Sequence, residues 1–207
     1  MNAIPSHINK PKFVLASHNP HKAREFERLL PGFEVEPYAG DLPEETGVTF
    51  RDNAELKARH VHAAIGGSAW VLADDSGIAA AALDGQPGVR SARFAGEHAT
   101  DAENLNALLA ALAGRDDRSV AYVAELVAIS PDGHELHARG ELRGRMAERP
   151  RGSGGFGYDP AFVPDETGPR DERTMAELSP AEKHAISHRG KAARQLFPAL
   201  LSRGTSP

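Results

Sequence analysis

Short apolar runs alternate with amphipathic stretches along the chain from Lys12 onwards. The run KFVLAS predicts a buried strand. Asn19 and Pro20 then stand as N-cap and first helical residue, and apolar residues recur at helical spacing until a Pro-Gly pair ends the helix. FEVEPY alternates like a half-buried strand. This succession predicts an α/β structure in which helices cover a sheet.

The middle of the chain continues the pattern. Thr49 with Asp52 and Thr100 with Glu103 resemble capping boxes, and each pair opens a further helix. SAWVLA predicts a strand that ends where DDSG, residues 74 to 77, begins. SVAYVAELVAIS predicts a longer strand, and the following PDG predicts the turn of a hairpin with HELHARGELRGRMAE.

The last third of the chain contains a glycine-rich segment, RGSGGFGYDP, followed by SPAE at residues 179 to 182. Serine, proline and glutamate at this spacing predict the start of one last helix. We interpret residues 12–207 as a single domain and residues 1–11 as a loose arm. The sequence shows no internal repeat.

Composition excludes several classes of function. The net charge of −5 lacks the basic footprint of a nucleic-acid binder, so a small phosphorylated substrate is favoured. The absence of cysteine excludes a disulfide framework, a thiolate metal site and a cysteine nucleophile, and favours the cytoplasm. No stretch reaches the roughly 20 apolar residues of a membrane span.

The first candidate site is the segment SHNPHK, where a strand gives way to a helix. Unpaired backbone N–H groups at a helix start favour a phosphate, and a lysine in the first turn adds a cation. An ordinary helix cap explains the segment equally well. Its residues are Ser17, His18, Asn19, Pro20, His21 and Lys22.

The second candidate is the pair Asp74 and Asp75, placed at the end of its strand. Adjacent carboxylates there would attract Mg²⁺ or raise one another's pKa, which suits metal-assisted phosphate chemistry. An acidic turn is the alternative. Glu44 and Glu45 offer a second source of carboxylates, and Ser76 lies beside the pair.

Two further segments carry polar or aromatic groups. Asn53 and Lys57 are four residues apart and share one face of a predicted helix. In GSGGFGYDP the glycines permit close backbone approach, while Phe156 and Tyr158 offer flat surfaces to a base. A surface lysine and a flexible connection are the alternatives.

The last candidate is EKHAISHRGK. His184 and His188 are four residues apart, but a zinc helix of the HExxH kind needs glutamate where Ala185 stands, so zinc is rejected. Lys183, His188, Arg189 and Lys191 instead gather donors for phosphate or a base carbonyl. A basic helix surface is the alternative.

Together these blocks resemble the inosine triphosphate pyrophosphatase family, also called the Ham1 family. The resemblance extends from Phe13 to about Leu200 through LASHNPHK, EETGVTFRDNAELKAR, ADDSG, GQPGVRSARFAG, GGFGYDPAF and TMAELSPAEKHAISHRGKA. It implies an elongated, two-lobed α/β fold with a long twisted mixed sheet, helices flanking it and a cleft between the lobes. It also implies a homodimer.

The resemblance further implies Mg²⁺-dependent hydrolysis of ITP, dITP and XTP to the nucleoside monophosphate and pyrophosphate. It makes Glu45 and Asp75 the magnesium ligands, Asp75 the proton acceptor and Asp74 a supporting carboxylate and second choice as acceptor. It implies substrate contacts by Ser17, His18, Asn19, Pro20, His21, Lys22, Asn53, Lys57, Ser76, Phe156, Gly157, Tyr158, Asp159, Lys183, His188 and Arg189.

Two alternatives stay open on the residues alone. A pyrophosphatase of the Maf kind would act on pyrimidine or methylated nucleotides, and the His188-Arg189 pair disfavours it. A nucleotide sensor without turnover would use the same phosphate contacts. The carboxylates favour catalysis, because an anion binder gains little from negative charge beside its ligand.

Overall fold

One six-stranded sheet forms the centre of the computed structural model, which describes residues 12–204. Its strands are β1 (Lys12–Leu15), β2 (Glu34–Pro37), β3 (Trp70–Ala80), β4 (Ser119–Ile129), β5 (Glu135–Met146) and β6 (Phe162–Pro164). They follow the spatial order β2-β1-β3-β4-β5-β6. β1 is parallel to β2 and β3, and the pairs from β3 to β6 are antiparallel. The predicted α/β class with a mixed sheet is confirmed.

Helices cover both faces of this sheet. They are α1 (Pro20–Leu29), α2 (Phe50–Ala64), α3 (Asp101–Ala111), α4 (Pro180–Ile186) and α5 (His188–Gly204). α1 and α5 pack with β1 on one face, and α2 packs on the other. No helix within residues 12–204 is both long and apolar enough to cross a membrane. The predicted arm, residues 1–11, lies outside the described residues.

Local capping explains why the helices begin where the sequence predicts. The Asn19 side chain accepts hydrogen bonds from the backbone N–H groups of His21 and Lys22, at 2.9 and 3.3 Å. Capping boxes open α2 at Thr49, α3 at Thr100 and α4 at Ser179. Each cap satisfies N–H groups that the first turn of a helix leaves without partners.

β3 does not end before the two aspartates, which corrects the predicted position of DDSG. The strand continues through these residues to Ala80, because β4 supplies a hydrogen-bonding partner along its whole length. β1 is the strand that ends here. Ala16 N–H bonds the Leu72 carbonyl at 2.8 Å, and beyond this point β3 has no parallel neighbour. The aspartates therefore lie beyond the carboxyl end of β1, in the middle of β3.

The predicted last helix is two helices. Ser187 has an extended backbone (φ −57°, ψ 145°) that ends α4, and its hydroxyl accepts the Gly190 N–H at 3.0 Å, as an N-cap does for α5. A cap inside a continuous apolar pattern is easily missed. The break means that His184 and His188 do not share one helix face.

Two hydrophobic clusters lie along the sheet face that carries α5. The first contains Phe13, Phe26, Leu72, Leu126 and Leu196, and we name it the α1–α5 cluster. The second contains Ile78, Leu108, Tyr122, Leu142 and Phe162, and we name it the α3 cluster. On β3, the residues of this face between the two clusters are Asp74 and Ser76. We name these two residues the polar gap, and the candidate site lies beside them.

Candidate functional site

A cleft of ≈ 360 Å³ opens where β1 ends. This volume lies within the range of small-molecule sites. Most residues implied by the resemblance line it: Ser17, His18, Asn19, Lys22, Glu45, Lys57, Asp75, Ser76, Phe156, Gly157, Tyr158, Asp159, Lys183, His188 and Arg189. Four others do not line it, and they are Pro20, His21, Asn53 and Asp74.

The alternation of side chains along β3 separates the two aspartates. Asp74 points toward α1 and α5, where its carboxylate accepts from the Lys22 ammonium at 2.7 Å and from the Arg189 guanidinium at 3.2 Å. Ser76, two residues on, points the same way and donates to Asp74 at 3.1 Å. Asp74 is fully buried behind the cleft wall.

The surroundings of Asp74 keep it ionised. Burial by itself would raise the pKa of this carboxyl group, but the Lys22 ammonium and the Arg189 guanidinium outweigh burial and hold the pKa well below its usual range. The prediction that the two aspartates raise one another's pKa is therefore wrong for Asp74. Its neighbours are cations, which the sequence places 52 and 115 residues away.

Asp75 points to the opposite face, toward α2. Its two carboxylate oxygens accept from the Asn53 amide at 3.2 Å and from the Lys57 ammonium at 3.3 Å. Lys57 also donates to Glu45 at 2.7 Å, so one ammonium group stands between two carboxylates. The Asn53 oxygen accepts the Gly47 N–H at 2.7 Å, which ties the loop that carries Glu45 to the floor of the site.

The carboxylates on this side have opposite pKa shifts. Burial raises the pKa of Asp75, and the Lys57 ammonium offsets only part of that effect. Glu45 is less buried, and there the Lys57 ammonium, together with the Lys22 and Arg93 charges, outweighs burial and lowers the pKa. Of these two carboxylates, Asp75 is consequently the one that accepts a proton more readily.

Two lysines reach the backbone carbonyl of Asp74, Lys57 at 3.0 Å and Lys22 at 3.3 Å. This carbonyl lies two residues beyond Leu72, where β1 made its last bond to β3. A longer β1 would have paired with it. The end of β1 thus exposes a backbone acceptor that draws both cations to one place, beside the start of α1.

The glycine-rich loop is held by Asp159. This buried carboxylate accepts the Phe156 N–H at 2.9 Å and forms a salt bridge with Lys183. Gly155 has a φ of +74°, and a Cβ there would lie 2.1 Å from an Asp159 oxygen, so only glycine fits. The Lys183 ammonium lies 5.0 Å from the Phe156 ring centre, and His21 stacks on the same ring at 5.4 Å.

A close approach between α5 and β5 sets the position of His188 and Arg189. A Cβ on Gly140 would lie 1.9 Å from the His188 carbonyl, so glycine lets the start of α5 sit directly on the sheet. Arg189 donates from three nitrogens, to Asp74, Glu25 and Ser76, at 3.2, 3.1 and 2.6 Å. Most of its donors therefore serve the protein.

His188 is buried, and its Nδ1 has no hydrogen-bond partner among the residues of the described chain. Burial and the neighbouring Arg189 charge lower the pKa of the imidazole well below its usual value. A neutral imidazole can donate from one nitrogen and accept at the other. His188 lines the cleft, so its imidazole ring lies where it can meet a ligand.

Sequence reasoning missed several polar side chains of the cleft, namely Glu25, Ser91, Asp101, Asn104, Tyr122 and Ser187. Glu25 follows Lys22 by three residues, so helical spacing alone would have placed both on one face. The same spacing relates Asp101 and Asn104 on α3. Tyr122 gave no such signal, because its partners Asp159 and His188 come from distant segments.

Known proteins resemble this chain over nearly its full length. The model of the Ham1 family matches residues 13–199. A dITP/XTP pyrophosphatase of Mycobacterium tuberculosis is 48% identical over 205 residues, which cover 94% of this chain and 97% of the relative. A dITP/XTP pyrophosphatase of Symbiobacterium thermophilum is 47% identical, with 95% of this chain and 100% of the relative covered.

The structural comparison agrees. A solved HAM1 protein from Coxiella burnetii superposes with a TM-score of 0.82 at 41% identity, covering 93% of this chain and 99% of that protein. Sequence and fold thus both match one group of proteins. The chain belongs to the Ham1 family.

Proposed function

We propose that this chain hydrolyses deaminated purine nucleoside triphosphates, namely dITP, XTP and ITP, to the nucleoside monophosphate and pyrophosphate. Such an activity would cleanse the nucleotide pool. The names of the relatives support the substrate class. The observation that carries the proposal is one cleft that brings two sets of groups together. It is lined by two lysines and two carboxylates around β3, and also by an aromatic ring and an imidazole that could meet a base: Lys22, Lys57, Glu45, Asp75, Phe156 and His188.

The cations suit a triphosphate. Lys22 and Lys57 meet at the Asp74 carbonyl, and Lys22 follows directly on the capped start of α1. The Asn19 side chain accepts the N–H groups of His21 and Lys22, so the prediction of unpaired N–H groups at this helix start is wrong for these two residues. The two ammonium groups, aimed at one place, would stabilise phosphate charge as it develops during hydrolysis. Positioning and electrostatics are the main protein contributions to phosphoryl transfer.

The residues present fit a magnesium ion. Glu45 and Asp75 both contact the Lys57 ammonium, so their oxygens face one small volume. Mg²⁺ ordinarily takes one or two carboxylates and completes its shell with waters and substrate phosphates. Residues 12–204 contain no group of three or more His, Asp or Glu side chains arranged for a metal. When bound, the ion would offset phosphate charge and polarise a phosphoryl oxygen.

Asp75 is the proposed proton acceptor for the attacking water. It lines the cleft and burial raises its pKa, whereas Asp74 lies behind the wall with its pKa lowered. We assign Asp74 the supporting part: it holds Lys22 and Arg189 in place. Asn53 positions Asp75 and the Glu45 loop from below.

Base selection is assigned to His188 with Arg189. Hypoxanthine and xanthine carry a carbonyl at the purine six-position, where adenine carries an amino group, so donors favour the deaminated bases. His188 lines the cleft as a neutral imidazole, while three nitrogens of Arg189 already donate to the protein. Phe156 adds stacking, which discriminates little because every base has a flat face.

A direct assay tests the proposed function. The purified chain is incubated with dITP, XTP, ITP, dATP and UTP, with and without Mg²⁺, and the products are separated. We expect pyrophosphate and the nucleoside monophosphate from the first three, and only with Mg²⁺. Inorganic phosphate as the product, or a preference for UTP, would contradict the proposal, and tight binding without turnover would favour a sensor.

A second assay tests base selection. His188→Ala should lower kcat/KM for dITP more than for dATP, with a change in preference of about tenfold, because an unpaired carbonyl costs roughly 1 to 3 kcal/mol. Phe156→Ala should lower kcat/KM for dITP and for dATP by the same factor. If the preference for dITP survives loss of both His188 and Arg189, base selection lies elsewhere in the cleft.

A homodimer and a cytoplasmic location complete the proposal, and both stay predictions. Sedimentation equilibrium of the purified chain tests the dimer. A monomer with full activity would show that the site needs no second copy.

A further inference from the structure

Tyr122 lies at the border between the polar gap and the α3 cluster. It stands on β4 opposite Ile78, four residues beyond the pair formed by Asp74 and Leu126. The residue is almost fully buried, yet it lines the cleft. Neither the catalytic proposal nor the assignment of base contacts uses it.

The hydroxyl group of Tyr122 reaches the glycine-rich loop. It donates to the Oδ1 atom of Asp159 at 3.2 Å, while the Oδ2 atom of that carboxylate accepts the Phe156 N–H at 2.9 Å. Lys183 pairs with the same Oδ2 atom. Burial, with the Asp159 charge beside it, raises the pKa of Tyr122 well above its usual value, so the hydroxyl keeps its proton and remains a donor.

The ring of Tyr122 reaches His188, in another segment of the cleft lining. It stacks on the His188 imidazole with a centroid distance of 4.8 Å and an angle of 14° between planes. Its own position is secured by Phe162, which stacks on it at 4.4 Å and 18°. Because the Nδ1 atom of His188 has no partner among the described residues, ring stacking replaces the hydrogen bond that would otherwise orient the imidazole.

We infer that Tyr122 is the positioning residue that joins the two walls of the base pocket. Its hydroxyl holds the loop that carries Phe156, and its ring sets the plane of His188. This inference rests on the proposed function, since it takes Phe156 and His188 as the groups that meet the base. The hydroxyl group of Tyr122 should therefore contribute to affinity for the substrate, and its ring to the preference for one base over another.

Two substitutions separate these parts. Tyr122→Phe keeps the stack and removes only the bond to Asp159, so KM should rise about fivefold for dITP, with kcat and the preference for dITP over dATP unchanged. Tyr122→Leu also removes the stack, so the preference should fall about fivefold or more. Tyr122→Met takes its place if the leucine variant does not fold. Tyr38→Phe, which removes a hydroxyl away from the cleft, should match the wild type.

Nuclear magnetic resonance detects the same contacts in the protein without any substrate being hydrolysed. In Tyr122→Phe the Phe156 amide resonance should shift while the His188 ring protons keep their ring-current shift, and in Tyr122→Leu the His188 shift should also be lost. A Tyr122→Phe enzyme with wild-type KM would overturn the hydroxyl part, and an unchanged base preference in Tyr122→Leu would overturn the ring part. Wild-type inactivity on dITP and XTP would instead contradict the proposed function, and the resonances would then decide the inference alone.

Discussion

Asp74 and Asp75 are neighbours in sequence and in strand β3, but they belong to different regions of the molecule. On the α1 and α5 face, Asp74 is buried between two cations, and they lower its pKa. On the α2 face, Asp75 borders the cleft, and burial raises its pKa despite the nearby Lys57 ammonium. The two residues have the same chemical group and opposite surroundings.

Successive side chains of a β-strand point to opposite faces of the sheet. Two adjacent carboxylates can therefore have different roles, one structural and one chemical. One face anchors the cations that line the cleft. The other presents an acceptor and a candidate metal ligand to the substrate. Each face therefore predicts a distinct result when its aspartate is changed to asparagine, which keeps the shape and removes the charge.

The largest effect is expected from Asp75→Asn. Pyrophosphate release from dITP should fall about a hundredfold or more, as expected when a metal ligand or proton acceptor is lost. In metal-free buffer the variant should melt at or above the wild-type temperature, because burial disfavours the ionised form of Asp75 in the fold. Asp116→Asn, an exposed carboxylate, is the control. Near-normal turnover would remove Asp75 from the chemistry.

Asp74→Asn should act mainly on stability. Loss of this charge leaves Lys22 and Arg189 buried without their shared partner, which costs about 3 kcal/mol in free energy of unfolding. Thermal or urea unfolding measures the change, with Asp75→Asn as the matched control. Equal melting temperatures for the two variants would show that the two faces do not differ as the contacts indicate.

Lys22→Ala should have a smaller effect, chiefly on binding. The ammonium lies beside the start of α1, so its removal should raise KM for dITP about tenfold and leave base preference unchanged. Lys12→Ala, at an exposed pair with Glu36, is the control. Unchanged KM and kcat in the Lys22 variant would make the SHNPHK segment a structural cap only.

The sequence predicted those parts of the fold that depend on local chemistry. The caps at Asn19, Thr49, Thr100 and Ser179 act within three residues, and apolar spacing fixes which face of each helix is buried. The resemblance to a family then supplied the residues of the site. Most of those residues line one cleft. Asn53 and Asp74 are buried behind it, and Pro20 and His21 are exposed.

What depended on distant partners could not be predicted from the sequence. β3 continues past Ala73 because β4 pairs with it there, and hydropathy carries no record of strand pairing. The cations around Asp74 come from α1 and α5, so the direction of its pKa shift was predicted wrongly. Tyr122 meets Asp159 across 37 residues of chain, which no spacing rule detects.

The smallest expected effect is the pH dependence of the stability that Asp74 contributes. It tests directly whether this carboxylate stays ionised between its two cations. A carboxyl group whose folded pKa is lowered stabilises the protein above its unfolded pKa, about 3.9, and this stabilisation is lost as the pH falls below that value toward the folded pKa. The stability difference between wild type and Asp74→Asn should therefore stay constant from pH 7 to pH 5. It should shrink only below about pH 4. Unfolding curves of both proteins at several pH values measure it, and a difference that already narrows between pH 7 and pH 5 would mean that the pKa of Asp74 is not lowered in the fold.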